Sequence, residues 1–256
     1  MHPVFSACLL GHYQVTYYYC PASGLLQTEP PYWLEEAYQT SITELDIGLV
    51  SRNLSNQKRL EPYLFRLFEP NDTCLDLGGG YGLLTRLLRD IGFNAFTYDR
   101  YCENLFASGF EPGVDFKANV LFAFEVLEHI PDPYDFLAAA FERYHCRTLF
   151  FSTVTFDRAI PDLDWWYYAF ETGQHITFYQ PCTLMQLAAK LGCRYYWLGS
   201  DFHLMTPQPL SRYDRLCLLN PYFAPVYAAY CRYRRRALSH LWGDYLLARQ
   251  RLQVKP

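Results

Sequence analysis

The chain has 256 residues, 51% of them hydrophobic and 18% aromatic, with a formal net charge of −4. That length and apolar content fit one α/β domain with appendages and a full core, without repeats or low-complexity tracts. No apolar run approaches the roughly 20 residues of a membrane span. Nine cysteines lacking any C-x-x-C pair argue against a disulfide framework and for reduced thiols.

Residues 1–40 read as a small aromatic entry segment. Val4–Leu10 is too short, and lacks the basic flank, to be a secretory signal, so the expected location is cytoplasmic. Gln14–Tyr19 and Leu25–Thr28 are expected to pair as a hairpin around Pro21-Ala22-Ser23-Gly24. Ser41-x-x-Glu44 has the form of a capping box opening a helix, and a second helical stretch is expected over 58–68. The first 69 residues are thus taken as a lid and helical segment, 70–206 as the core, and 207–256 as a C-terminal helical extension.

The core opens on Thr73–Leu77, an apolar strand carrying Asp76, and runs into Gly78, Gly80 and Gly82. Glycines at alternate positions let a backbone turn approach a ligand that any Cβ would push away. Leu83, Leu84, Leu87, Leu88 and Ile91 share one face of the helix that follows, with Thr85, Arg86, Arg89 and Asp90 opposite and Gly92 ending it. The helix N-terminus offers unpaired N–H groups and the positive end of its dipole to a bound group. Ala95–Asp99 then reads as a second parallel strand, whose Asp99 carboxylate would lie beside the ribose of a nucleotide-type cofactor.

The dinucleotide fingerprint G-x-G-x-x-G is not met, since its third glycine would fall on Leu83 or Thr85. Only 25 residues separate Asp99 from Glu125, too few for a full crossover, so a third strand is expected to be missing or vestigial. Val120–Phe124 is the next strand, followed by the run EVLEHIPDP from Glu125 to Pro133. Asp132 caps the next helix with Pro133 at its first position, burying Leu137, Ala140, Phe141 and Tyr144. Thr148–Val154 is an unbroken apolar strand of the buried parallel kind. Pro181–Leu191 is helical, and Arg194–Leu198 and Phe202–Thr206 close the sheet. Helices are expected over 221–236 and 238–252. Residues 206–256 hold nine Lys/Arg against two Asp/Glu, with Arg232, Arg234, Arg235 and Arg236 in a basic cluster. A solvated face is the plainest reading of that cluster, and peripheral contact with a membrane surface or an anionic partner is the sharper one. No nucleic-acid-binding signature stands beside it.

The D-x-G-x-G-x-G turn, the acid ending the second strand and the EVLEH run together resemble class I S-adenosylmethionine-dependent methyltransferases of the small-molecule type. The resemblance covers roughly residues 14–205. It implies a Rossmann-like three-layer α/β sandwich around a mostly parallel sheet of six or seven strands, the last antiparallel. It also implies S-adenosylmethionine as cofactor and S-adenosylhomocysteine as product. Asp76, Gly78, Gly80, Gly82, Asp99, Tyr101 (against the adenine ring) and Glu125 become the expected cofactor residues, with Tyr38 as a lid residue over the same site.

The run Gln174-His175-Ile176-Thr177-Phe178-Tyr179 is similar to a motif of sugar-tailoring methyltransferases, in whose C-methyltransferase branch a Glu-His pair supplies the base. His175 therefore carries over as candidate catalytic base, without the acidic partner. A His titrates near neutrality, as a general base should. His129 is read rather as a packing or capping residue. The lead-in from Cys20 resembles the same branch but has Ser23 where a second cysteine would complete a zinc motif, so no metal is expected. The implied acceptor is a small polar molecule, in the first instance a sugar or glycan precursor. A lipid or quinone methyltransferase at a membrane surface and a non-catalytic cofactor-binding partner subunit are the alternatives, and oligomeric state is left open.

Overall fold

The computed structural model describes residues 1–39, 46–69, 71–220, 222–235 and 238–254. The chain divides into two compact units, one of Met1–Asp46 with Ala123–Pro209 and the other of Ile47–Phe122 with Leu210–Pro256.

The first unit begins with three antiparallel strands, β1 (His2–Leu9), β2 (Tyr13–Cys20) and β3 (Leu25–Thr28), followed by the short helix α1 (Leu34–Ala37). The β2–β3 hairpin forms about the anticipated turn, with Tyr17 opposite Thr28. Strand β1 was not anticipated. Its residues alternate poorly in burial, and only its register against β2, from His2 opposite Tyr19 to Leu9 opposite Tyr13, makes it a strand. Leu9, Val15, Tyr17, Leu26 and Trp33 pack into one core with Tyr167, Tyr168, Ile176 and Phe178. The buried Trp33 indole donates to Gly173 O at 2.8 Å.

The second unit starts with α2 (Leu49–Leu67), nine residues before the expected helix start and continuing through Pro62. Its buried face includes Leu60, Leu64 and Phe65, the last tilted against Phe93 at 4.7 Å between ring centroids. Strand β4 (Thr73–Leu77), helix α3 (Leu83–Asp90) and strand β5 (Asn94–Tyr98) follow as read from the sequence. Residues 99–119 hold no helix or strand, so the third strand of the expected crossover is absent. The chain proceeds directly to β6 (Val120–Ala123).

Beyond β6 come α4 (Pro133–Arg143), β7 (Leu149–Ser152), β8 (Thr177–Phe178), α5 (Pro181–Lys190), β9 (Arg194–Trp197) and β10 (Phe202–Thr206). Helix α4 has the anticipated start, with the Asp132 carboxylate accepting from Asp135 N–H and Pro133 in the first turn. Strand β8 joins the N-terminal strands in the order β1-β2-β3-β8, and the larger sheet has the order β5-β4-β6-β7-β10-β9. In it β4 pairs in parallel with β5 and β6, while β10 runs antiparallel to β7 and β9. This is a six-stranded, mostly parallel Rossmann-like sheet. The order reverses at β4, so the carboxyl end of β4 is where such a sheet offers a ligand crevice.

The C-terminal segment holds α6 (Arg212–Leu219), α7 (Phe223–Arg235) and α8 (Leu241–Val254). The sequence pattern missed α6, which opens on a reciprocal cap between Ser211 and Asp214. Ser41 and Glu44 of the proposed capping box, and Arg236 of the basic cluster, lie outside the described residues, as do the side chains of Arg232, Arg234 and Arg235.

The polar face assigned to α3 needs correction. Thr85 and Arg89 are buried. Thr85 donates to Phe96 O at 3.2 Å. The Arg89 guanidinium makes a fork to Asp244 of α8, Nε to Oδ2 at 2.8 Å and Nη2 to Oδ1 at 2.7 Å, and lies 3.6 Å above the Phe110 ring. Arg86 adds a third bond to Asp244 at 2.8 Å. A charge this deep is tolerable only because it is paired and hydrogen-bonded, and its partner is 155 residues away. No disulfide forms among the nine cysteines, and among the described residues no helix is long and apolar enough to cross a membrane.

Candidate functional site

Two polar constructions stand out, one in each unit. In the second unit, the parallel register of β4 and β5 sets Leu77 opposite Tyr98. The glycine turn and Asp99 therefore leave the sheet at the same level. Gly78, Gly80 and Gly82 all adopt positive φ, at 69°, 54° and 80°, in the left-handed region that side chains other than glycine rarely enter. At Gly82, the N-cap of α3, an added Cβ would also run into the Asn104 side chain. At Gly79 it would fall 2.6 Å from the Asp76 carboxylate.

Asp99 is the fastener of this loop. Its Oδ2 accepts from Gly80 N–H at 2.9 Å, and its Oδ1 accepts from Tyr101 N–H at 2.7 Å and Cys102 N–H at 2.9 Å. Gly78 N–H donates to Tyr98 O at 2.8 Å. Asp76 lies buried beneath the turn. Burial, and then the nearby Asp99 charge, pushes its carboxyl up to about 8, so it is largely protonated at neutral pH. The Tyr101 ring is exposed, with the Arg100 guanidinium 5.6 Å from its centroid. The structure thus brings Asp76, the three glycines, Asp99 and Tyr101 into one neighbourhood.

The first unit holds Glu125, Tyr38 and His175. Glu125 follows β6 with a φ of 55°, an uncommon conformation for a residue with a side chain. A reciprocal pair holds it there. Glu125 N–H donates to Ser152 Oγ at 2.8 Å, and Ser152 Oγ–H donates to Glu125 Oε1 at 2.6 Å.

A 3-10 turn over Leu127–His129 then presents Glu128 and His129. His175 comes from the segment before β8. The two imidazoles meet edge to face, 4.9 Å between centroids, and Tyr38 lies edge-on to His129 at 6.2 Å. Each ring is oriented through Nδ1 by a backbone carbonyl, His129 by Gln174 O at 3.0 Å and His175 by Tyr167 O at 2.7 Å. A carbonyl only accepts, so Nδ1 carries the proton and Nε2 keeps its lone pair.

Both residues are half-buried, with protein packed densely round them. Burial pushes His129 down to about 3, helped by His175, and pushes His175 down to about 4. Both are neutral at physiological pH. Sequence reasoning singled out His175 and set His129 aside. It missed Glu128 altogether, although the EVLEH run contains it. A carboxylate followed by a histidine was the available signal.

Residues 51–198 match a family model described as a methyltransferase domain. Among solved structures, an O-methyltransferase family protein from Burkholderia thailandensis is similar at a TM-score of 0.52 and 14% identity, over 72% of this chain and 64% of that one. CalO1, a methyltransferase in calicheamicin biosynthesis in its SAH-bound form, matches at a TM-score of 0.45 and 16% identity, over 68% of this chain and 61% of that one. In both, the chain covers less than two thirds of the matched protein's length. The magnesium protoporphyrin IX methyltransferase ChlM from Synechocystis PCC 6803, with bound SAH, matches at a TM-score of 0.45 and 12% identity, over 67% of this chain and 90% of that one. At 14% identity the likeness to the Burkholderia protein is one of fold. No curated protein sequence is similar to the chain.

Proposed function

The chain belongs to the methyltransferase-domain family, and from that premise we propose that it is an S-adenosylmethionine-dependent methyltransferase acting on the hydroxyl of a small polar acceptor, with carbohydrates as the first acceptor class. The observation that carries this reading is the loop at the end of β4. Three glycines at positive φ leave a backbone cradle without side chains, backed by the N–H groups opening α3. That cradle suits a cofactor with an adenosine half and a zwitterionic tail.

S-adenosylmethionine, when bound, supplies an electrophilic methyl group on a sulfonium and leaves as S-adenosylhomocysteine. In this proposal the protein's part is to bind and orient. Gly78, Gly80 and Gly82 hold the backbone open. Asp99, whose carboxylate already fixes the loop through Gly80, retains lone pairs to accept from the ribose hydroxyls. Tyr101 offers an exposed ring to the adenine, and Asp76 supports the turn from beneath.

His175 is the proposed acceptor-side base. Its Nε2 is unprotonated and its ring is fixed by Tyr167 O, both of which a general base needs. Held near 4, it is a weak base. A hydroxyl becomes far more acidic as its oxygen gives up electron density to a new bond, so a weak base placed against it suffices.

Calorimetric titration with S-adenosylmethionine, S-adenosylhomocysteine and NADH tests the cofactor half. Micromolar binding of the first two is expected, with a loss of tenfold or more, about 1.4 kcal/mol, in Asp99→Ala. Binding of NADH instead, or of none of the three, overturns the reading. Labelled-methyl transfer to nucleotide sugars and glycans tests the acceptor. Unchanged turnover in His175→Ala removes the base.

A further inference from the structure

Glu128 has no place in the function proposed above, yet it is the most anomalous side chain in the first unit. It is fully buried, and among the described residues neither carboxylate oxygen finds a hydrogen-bond partner. An isolated buried carboxylate is among the costliest groups a protein can hold, and it is met by a cation or stays protonated. The Tyr167 hydroxyl interacts with it and offsets part of that cost. That hydroxyl is itself engaged by Thr153 at 3.2 Å and Val154 N–H at 3.1 Å.

Two imidazoles stand beside this carboxylate. The Glu128, His129 and His175 ligand atoms all lie within 4.8 Å of one another. Both histidines donate Nδ1–H to a backbone carbonyl, the outer-shell bond that fixes the tautomer of metal-ligating histidines and aims Nε2. Three features therefore converge that packing alone does not require: a fully buried carboxylate whose oxygens make no well-formed hydrogen bond, two imidazoles beside it, and a carbonyl behind each ring.

We propose that Glu128, His129 and His175 form a binding site for one divalent transition-metal ion of the zinc type, with at least one coordination position left to an oxygen ligand. Two imidazoles and one carboxylate make a borderline donor set that suits zinc and its first-row neighbours better than magnesium or calcium, which prefer oxygen alone. Ligand atoms about such an ion stand roughly 3–4 Å apart, so side-chain rotations of about 1 Å close the set.

The site does not rest on the methyl-donor reading, but its use does. With the ion in place His175 Nε2 would be a ligand in place of the base. An acceptor hydroxyl on the open position would be acidified by the ion and release its proton to water as its oxygen takes the methyl group. A weakly basic His175 then becomes a fixed ligand, and sugar-type hydroxyls, otherwise poor proton donors, become accessible acceptors.

The test uses the full-length protein stripped with chelator and titrated with Co2+ under visible absorption, then with Zn2+ as competitor, with bound metal counted by mass spectrometry. One Co2+ per chain with ligand-field bands, displaced by Zn2+, is expected. Glu128→Gln and His175→Ala should each weaken binding by more than the roughly 10–100-fold that loss of an outer-shell partner costs. His129→Gln provides a third variant should either fail to fold by circular dichroism. Asp99→Ala should bind Co2+ as the wild type does while losing S-adenosylmethionine, which separates failure of the metal site from failure of the donor reading. Absence of stoichiometric Co2+ in the wild type, or wild-type affinity in the folded Glu128 and His variants, overturns the proposal.

Discussion

The glycine turn and the imidazole cluster are built in opposite ways. The turn is made of backbone, and what shapes it lies between Asp76 and Phe106: three positive-φ glycines, the Asp99 carboxylate with the amides it binds, and the Leu105 and Phe106 N–H groups on Tyr81 O. The cluster is made of side chains from three separated segments. Tyr38 comes from the end of α1, Glu128 and His129 from the turn after β6, and Tyr167 and His175 from the stretch before β8. The difference teaches where each region is vulnerable. A local backbone turn fails through conformation at one residue, and an assembled cluster fails through any of the contacts that gather it.

The support of α3, the helix that follows the turn, gives the largest test of that contrast. Asp244→Ala strands the buried Arg89 and should lower stability by about 3–5 kcal/mol in urea unfolding. Below the melting transition S-adenosylmethionine affinity should stay near wild type, since the turn's own bonds are intact. A lost affinity in folded protein would show the turn to depend on α8.

Asp76 offers the next largest effect, a pH dependence. Its folded pKa, near 8, stands above the unfolded value near 3.8, so the folded state binds the extra proton. Its contribution is full below pH 4 and is lost as pH rises toward 8, a decline of a few kcal/mol. Asp76→Asn should flatten that decline in unfolding curves taken at intervals across the window. An unchanged slope would mean the carboxyl is ionised and paired in the fold.

Gly82→Val probes the turn directly. A β-branched residue at φ 80° should cost about 1–2 kcal/mol and weaken S-adenosylmethionine binding tenfold or more, while Co2+ binding persists. Loss of both ligands would break the independence of the two regions.

The smallest effect concerns the cluster's assembly. The buried Gln174 side chain donates to Ala37 O at 2.8 Å, tying the segment that carries His175 to the end of α1. Gln174→Ala should cost about 1 kcal/mol and lower Co2+ affinity several-fold with donor affinity unmoved. Unchanged Co2+ affinity would show the imidazoles to be held without that tie.

Much of the fold was legible because its signals are local. Strands β4, β5, β7 and β10 and helices α3, α4 and α5 fall where apolar runs, caps and glycine stops put them, and the short span from Asp99 to Glu125 correctly foretold the absent third strand. Strand β1 was not legible, because its burial is set by its partner β2 rather than by its own alternation. The polar face of α3 misled because Arg89 reads as solvent-facing until Asp244 is beside it. At the candidate site the glycine turn and Asp99 could be read from spacing, whereas Glu128 offered only a carboxylate followed by a histidine, and its burial was not legible. Nothing in a sequence distinguishes a carboxylate that will face water from one that will face two imidazoles.

The sequence by itself determined the glycine turn. Glycine spacing, the acid at the end of the next strand and the helix start are near-neighbour relations, and backbone sterics act over just such distances. Only the tertiary structure decided which charges would be buried and what they would meet. Arg89 with Asp244, and Glu128 with His175, are pairings that chain folding brings together, and their energetics come from desolvation that no local pattern records.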